Sequence, residues 1–343
     1  MSLPRVYSSL TRTSSLSTSE FSVESVARAD WATGDYVAAQ IEKPVTGFSE
    51  IELPTGRMRQ VAPGDIVIGA LGERYATLEA TGTWREVGSD GVMQALTSAG
   101  LLGKMTSKSA SLPSLLNLRY KGHVHVDDQK HSMADCVSPR PERPFTTPTV
   151  LLVGTSMAAG KTTSARVIIR MLEQAGKRVV GAKVTGAGRY RDILSMSDAG
   201  ADTIFDFVDV GLPSTVFPED EYLERLDDLM AMIAGVEADV AVIEIGASPL
   251  EPYNGEAAIE RIRSQVKCTV LSASDPYAVR GVMEAFDMRP DIVGGVATST
   301  IAGVDLVKKL TGVPAVNWLD PETHPAIRGV LEEKLDIELG WVA

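Results

Sequence analysis

Cysteine is scarce in this chain. Cys136 and Cys268 are the 2 cysteines among 343 residues, far apart and without metal-type spacing. That excludes a disulfide framework and leads us to expect free thiols in a reducing, cytoplasmic compartment. Positive charge is also short, with 33 Lys and Arg against 45 Asp and Glu and a net charge of −12. A nucleic-acid surface and an anionic membrane are poor partners for such a chain. No apolar run approaches the roughly 20 residues of a membrane span. The first 20 residues, rich in Ser and Thr, lack the basic head and apolar stretch of a signal peptide, so residues 1–20 are expected to form a mobile arm. Internal repeats are absent. What remains is an ordinary globular composition, 44% hydrophobic and 23% charged, long enough for two domains.

The most informative stretch runs from Val150 to Thr163. Val150-Leu-Leu-Val153 reads as a buried strand, Gly154-Thr-Ser-Met-Ala-Ala-Gly160 as a loop, and Lys161-Thr162-Thr163 as the opening of a helix. Val167, Ile168, Met171, Leu172 and Ala175 recur on one helical face, and Gly176 ends it. This is the context of a phosphate-binding loop. Amides of Gly154, Thr155, Ser156, Met157, Ala158, Ala159, Gly160, Lys161, Thr162 and Thr163 are expected to wrap phosphates at the helix N-terminus. Lys161 adds a point charge, and Thr162 offers a hydroxyl to Mg²⁺. The first glycine departs from the standard spacing: it stands at Gly154, one residue before the expected position, Thr155.

Residues 21–130 carry strand signals at 36–42, 64–69, 76–84 and 120–126, with a short helix expected at 92–102, and suggest a small β-barrel or sandwich. Residues 131–147, with Pro139, Arg140, Pro141, Glu142, Arg143 and Pro144, read as a stiff polar connector. From 148 onward strands and helices alternate. Strands are expected at 178–184, 239–245, 266–272, 291–297 and 314–318, and helices at 219–234, 255–265, 277–288 and 302–311. The expected fold is therefore α/β. A C-terminal P-loop NTPase domain, 148–343, holds a mostly parallel sheet between helices, and a smaller β-rich domain, 21–130, precedes it.

Ligands of such sheets gather at the carboxyl ends of the strands. Lys183 and Glu244 stand at two such ends, each closing an apolar run, and both are candidates for catalysis. Asp198, in Ser197-Asp-Ala199, either holds Mg²⁺ with Thr162 and Glu244 or caps a following helix. Asp275 either faces the site or caps the next helix, with Pro276 at its first turn. Asp206, Asp209, Ser214 and Thr215, and a loop at 249–255, either shape a substrate pocket or are plain loops. In the N-terminal unit, Arg74, Lys104 and Lys108 either grip an anion or are solvated. His123, His125 and His131 either form a metal site or do not.

The early glycine, together with Lys183-Val-Thr-Gly186, Ser197-Asp-Ala199 and Glu244-Ile-Gly-Ala-Ser248, resembles the dethiobiotin synthetase and cobyrinic acid a,c-diamide synthase branch of P-loop NTPases. The resemblance covers about 149–318. Proline is missing after Lys183 and Ile245 is inserted after Glu244. The chain also resembles, over its whole length, bacterial two-domain N-acyltransferase-like proteins that carry such a domain. The resemblance implies ATP and Mg²⁺ as cofactors, and an enzyme that activates a carboxylate or carbamate of a small metabolite by phosphoryl transfer before an amine attacks. It implies a homo-oligomer, a dimer, without nucleic-acid or membrane partners. Two other functions stay open: an acyl-CoA-dependent amino-acid N-acyltransferase, and a nucleotide-dependent switch.

Overall fold

A computed structural model describes residues 5–43, 47–139, 141 and 143–340. Arg140 and Glu142 of the expected connector lie outside the described residues. The chain divides into two compact units. The first runs to Pro139 and also holds Ala187–Arg191 and Phe207–Pro218; the second holds the remainder.

The first unit is built on strands β1 (Arg5–Tyr7), β2 (Ser22–Glu24), β3 (Tyr36–Ile41), β4 (Glu50–Glu52), β5 (Met58–Gln60) and β6 (Ile66–Leu71). It continues with β7 (Glu73–Tyr75), β8 (Ala80–Thr83), β9 (Val92–Ala95), β10 (Leu101–Lys108), β11 (Asn117–Val126) and β12 (Gln129–Lys130). Strands β6, β3, β11, β9 and β10 pair in that order, and β10 pairs back onto β6 at Leu101↔Ala70. The ring of hydrogen bonds is closed, so those five strands form a barrel. Alternation turns Val37, Ala39 and Ile41 of β3 into its core with Val67, Leu71, Met93, Ala95, Leu102 and Leu118.

Two expectations fail here. Residues 92–102 are not a helix: Met93 and Ala95 alternate into the barrel, and pairing with β10 and β11 overrides the local helical pattern. Residues 5–16 are not a mobile arm either. β1 adds in parallel to β6, and Val6, Leu10 and Leu16 are buried.

The second unit is a six-stranded sheet in the order β15-β14-β16-β13-β17-β18, parallel throughout. The strands are β13 (Thr149–Gly154), β14 (Val179–Lys183), β15 (Thr203–Asp206), β16 (Val240–Glu244), β17 (Val266–Ser272) and β18 (Ile292–Gly294). Helices α1 (Lys161–Gln174), α2 (Tyr190–Asp198, whose first two residues fall in the first unit), α3 (Glu219–Gly235), α4 (Gly255–Ile262), α5 (Pro276–Ala285), α6 (Ile301–Thr311) and α7 (His324–Leu335) accompany them.

The expected last strand at 314–318 reduces to one bridge, Val293↔Ala315. Helices α2 and α7 were not anticipated. α7 buries Ile327, Leu331 and Leu335 at four-residue spacing, joining the cluster formed by α1 and the sheet. No helix among the described residues is long and apolar enough to cross a membrane.

Candidate functional site

Side chains alternate along a strand. Val150, Leu152 and Gly154 therefore share a face of β13, as do Val179, Gly181 and Lys183 of β14, Val240, Val242 and Glu244 of β16, and Cys268, Val270 and Ser272 of β17. Their apolar members cluster with Ala165, Ile168, Ile169 and Leu172 of α1. The face is the one α1 covers, and its carboxyl-terminal positions turn polar. Lys183 lies beside Glu244, Glu244 beside Leu152, and Gly154 beside Ser272. Ser272 Oγ is 3.2 Å from Ser164 Oγ of α1.

Gly160 ends the loop at φ 104°, a left-handed conformation that favours glycine, and α1 starts at Lys161. The Lys161 stem runs back across Gly154, and its Nζ donates to the Ser156 carbonyl at 2.7 Å. A Cβ on residue 154 would lie 2.7 Å from Lys161 Cδ and 2.8 Å from its Nζ. That accounts for the early glycine: it stands where the lysine crosses. Thr155, at the standard glycine position, has another task, its hydroxyl accepting from the Ser274 amide at 3.0 Å. The Ser156 hydroxyl is buried without a partner.

Thr162 donates through Oγ1 to Glu244 Oε2 at 3.2 Å. Lys183 Nζ donates to Asp192 Oδ2 of α2 at 2.6 Å. Lys161, Lys183 and Glu244 are buried, at 1%, 6% and 2% exposure. Burial pushes Lys161 down to about 8, with Glu244 opposing and Lys183 adding to the shift. Burial likewise raises Glu244, against the pull of Lys183 and Lys161. For Lys183 burial acts downward, but Asp192, Glu244 and Asp206 outweigh it and the ammonium is held above the usual lysine range. The result is a largely buried cluster in which Lys161 and Lys183 meet the Glu244 and Asp192 carboxylates at the N-terminus of a helix. Such a cluster suits a polyanion, with Thr162 and Glu244 as oxygen donors of the kind Mg²⁺ takes.

The other sequence candidates distribute differently. Asp198 is exposed in the last turn of α2. No helix follows it to be capped, because β15 comes next. Asp192, nearly two turns earlier, is the acidic residue of that helix that meets Lys183. Its helix was not anticipated, although Ile193 and Met196 form a buried helical pair. Lys183 has no acidic residue next to it in sequence, and its carboxylate partner comes from α2. Asp206 sits beside Lys183 across β14 and β15. Met157 is partly exposed and Ala158 exposed, while Ala159 is buried and Thr163 follows in the first turn of α1. Asp275 caps α5, accepting from the Tyr277 amide at 2.8 Å. In the loop at 249–255, Glu251 accepts from the Ser248 amide at 2.7 Å, and its charge helps hold the Lys161 proton.

In the first unit, Arg74 pairs with Glu79 and donates to the Leu96 carbonyl. Lys108 donates to the Ser109 carbonyl at 2.8 Å, and Lys104 is half-buried in β10. Asp209 pairs with Arg12 at 2.9 Å, and Ser214 and Thr215 are fully buried. His123 lies between Asp35 at 3.3 Å and the Tyr120 hydroxyl at 2.6 Å. His125 Nδ1 meets the His123 carbonyl, and His131 faces Cys136. The histidines do not converge, and no group of His, Cys, Asp and Glu among the described residues has the arrangement of a metal site.

No family model matches the sequence, and no curated protein matches it. Among solved structures, chloroplast FtsY from Physcomitrella patens is similar at 13% identity, over 53% of this chain and 62% of that one, with a TM-score of 0.37. HypB from Helicobacter pylori, in complex with nickel, is similar at 14% identity over 56% and 88%, with a TM-score of 0.36. A ParA family ATPase from Chlorobium tepidum follows at 14% over 55% and 91%, with a TM-score of 0.31. The chain thus spans less than two thirds of the FtsY length. At such scores these likenesses add nothing to the site, whose chemistry rests on its own geometry.

Proposed function

We propose that the second unit binds a nucleoside triphosphate with Mg²⁺ and transfers its terminal phosphoryl group. One observation carries this reading. The Lys161 ammonium is buried and finds its acceptor in a carbonyl of its own loop, at 2.7 Å. Its proton is destabilised, and an anion at the loop would relieve that. The loop amides, the start of α1, the orphaned Ser156 hydroxyl and Lys161 are the donors a triphosphate tail requires. Thr162 and Glu244 would hold Mg²⁺, which, when bound, neutralises charge on the phosphate oxygens.

The finer reading is a ligase-type reaction. A small carboxylate, or a carbamate, accepts the phosphoryl group and an amine then displaces phosphate. Lys183 would orient the acceptor anion and stabilise charge developing on the transferred group. Release of nucleoside diphosphate that rises with a carboxylate–amine pair supports it. A Lys183→Met variant that binds nucleotide within about threefold yet turns over roughly 10²-fold more slowly places the lysine in the reaction.

The Lys183–Asp192 pair favours a second reading, a nucleotide-dependent switch, since a lysine already held by a carboxylate has less need of a substrate. In that case diphosphate release stays at its basal rate with every metabolite and responds to a protein partner. Competition between ATP and GTP identifies the base in either reading.

A further inference from the structure

We propose that Glu52, in the first unit, is a positioning residue: it anchors the start of α2 so that Asp192 holds Lys183 in place. The anchoring stands on its own geometry, while its consequence for phosphoryl transfer rests on the nucleotide reading.

Glu52 ends β4, and its side chain is fully buried. Its backbone amide donates to the Ser98 carbonyl at 2.8 Å, and Ile51 before it lies in the barrel core. The stem of the carboxylate is therefore fixed. A buried carboxylate is costly unless donors surround it. Here the Tyr190 amide donates to Oε2 at 2.8 Å, the Arg191 amide to Oε1 at 2.9 Å and the Ser9 hydroxyl to Oε2 at 2.5 Å. Tyr190 and Arg191 are the first two residues of α2. Both oxygens thus accept from amides that a helix start leaves without helical partners, and the negative charge sits at the positive end of the helix.

α2 needs such an anchor. It has nine residues, short enough to be marginal alone. The residue before it is Arg189, not the Ser, Thr, Asp or Asn that caps a helix from within its own segment. The cap comes instead from a residue 138 positions away. The chain leading into α2 is gripped as well. The Gly188 amide donates to the Pro213 carbonyl at 3.0 Å, and the Arg12 guanidinium lies 4.6 Å from the centre of the Tyr190 ring.

The next residue of the helix is Asp192, whose Oδ2 accepts from Lys183 Nζ at 2.6 Å. Between Lys183 and Asp192 the chain passes through the first unit, from Ala187 to Arg191. Two sets of contacts, each inside one unit, therefore meet at the Arg191–Asp192 peptide bond. Glu52 fixes one side of that bond and Lys183 the other. Glu244 and Asp206 also flank Lys183, from β16 and β15. Those two carboxylates are fixed by the sheet, whereas the place of Asp192 depends on α2.

The test compares the full-length wild type with Glu52→Gln, Asp192→Asn and the double variant. Each is methylated briefly with formaldehyde and a borane, and modification of Lys183 is counted by mass spectrometry. Iodoacetamide labelling of the buried Cys268 thiol reports whether the fold is kept. Lys183 should be methylated at least about threefold faster in each single variant, the low end of coupling between groups in contact. The double variant should be no faster than Asp192→Asn, because both changes act on one contact. Ser9→Ala leaves the carboxylate and removes one donor. It should move Lys183 in the same direction by less, and it carries the comparison if Glu52→Gln exposes Cys268. Wild-type reactivity of Lys183 in variants that keep Cys268 protected overturns the proposal, as do effects that multiply in the double variant. Nucleotide affinity of Glu52→Gln should stay within about threefold while phosphoryl transfer falls about tenfold or more, the cost of a misplaced group. Unchanged transfer in that variant overturns the positioning role. Absence of nucleotide binding to the wild type would overturn the nucleotide reading instead and leave the Lys183 labelling result standing.

Discussion

At the scale of single residues, the site turns on where protons rest. Burial pushes Lys161 down to about 8. A bound triphosphate favours its charged form, so binding should take up a proton above pH 8, and affinity should fall as pH rises from about 8 toward the ordinary lysine value. Calorimetry in buffers of different ionisation enthalpy reads that uptake, and Lys161→Met should abolish it. Glu244 lies under α1 and accepts from Thr162 at 3.2 Å. Glu244→Gln keeps the shape and removes the charge. It should cut phosphoryl transfer by 10²-fold or more and change nucleotide affinity far less, because the charge matters most in the transition state. Equal losses in affinity and turnover would contradict that role.

At the scale of elements, the loop depends on what lies beneath it. α1 is seated by Ile168, Ile169 and Leu172, all fully buried. Leu172→Ala should cost about 2–5 kcal/mol by denaturant melts. Gly154→Ala should push the Lys161 stem aside, since the new Cβ would fall 2.7 Å from Cδ, and should weaken nucleotide binding more than it lowers stability. The strand–loop–helix unit was legible in the sequence because an apolar run, two glycines and a periodic helix agree with one another. So were Lys183 and Glu244, polar residues closing Val-rich strands. Asp192 was not legible, because its contact with Lys183 depends on a helix that the Gly-rich segment before it disguised. Of the two readings of Asp198, the helix cap fails, since Asp198 ends α2 and a strand follows it. The strands at 92–95 and 101–108 needed barrel closure, a long-range fact no local pattern carries.

At the scale of the whole molecule, the chain is two units interleaved in sequence, since Ala187–Arg191 and Phe207–Pro218 return to the first. That interleaving could not be read from composition, because the proline-rich connector marks one crossing and nothing marks the others. Acid stability should be set partly in the barrel unit. Burial alone would raise Asp35, but the His123 ring at 3.3 Å and hydrogen bonds from Lys130 and the Ala32 amide hold it below its usual range. A depressed carboxylate stabilises the fold above its unfolded pKa, and that stability is lost as pH falls through the folded value. Asp35→Asn should flatten the acid limb of a urea-midpoint profile. On the proposed function, the loop from Gly154 to Thr163 binds a triphosphate through Lys161. Isothermal titration of Mg·ATP and Mg·GTP into the wild type and Lys161→Ala tests it most directly. At least one nucleotide should bind the wild type, and the variant should lose roughly tenfold or more in affinity. Absence of binding to the folded wild type, or equal affinity in the variant, would contradict it.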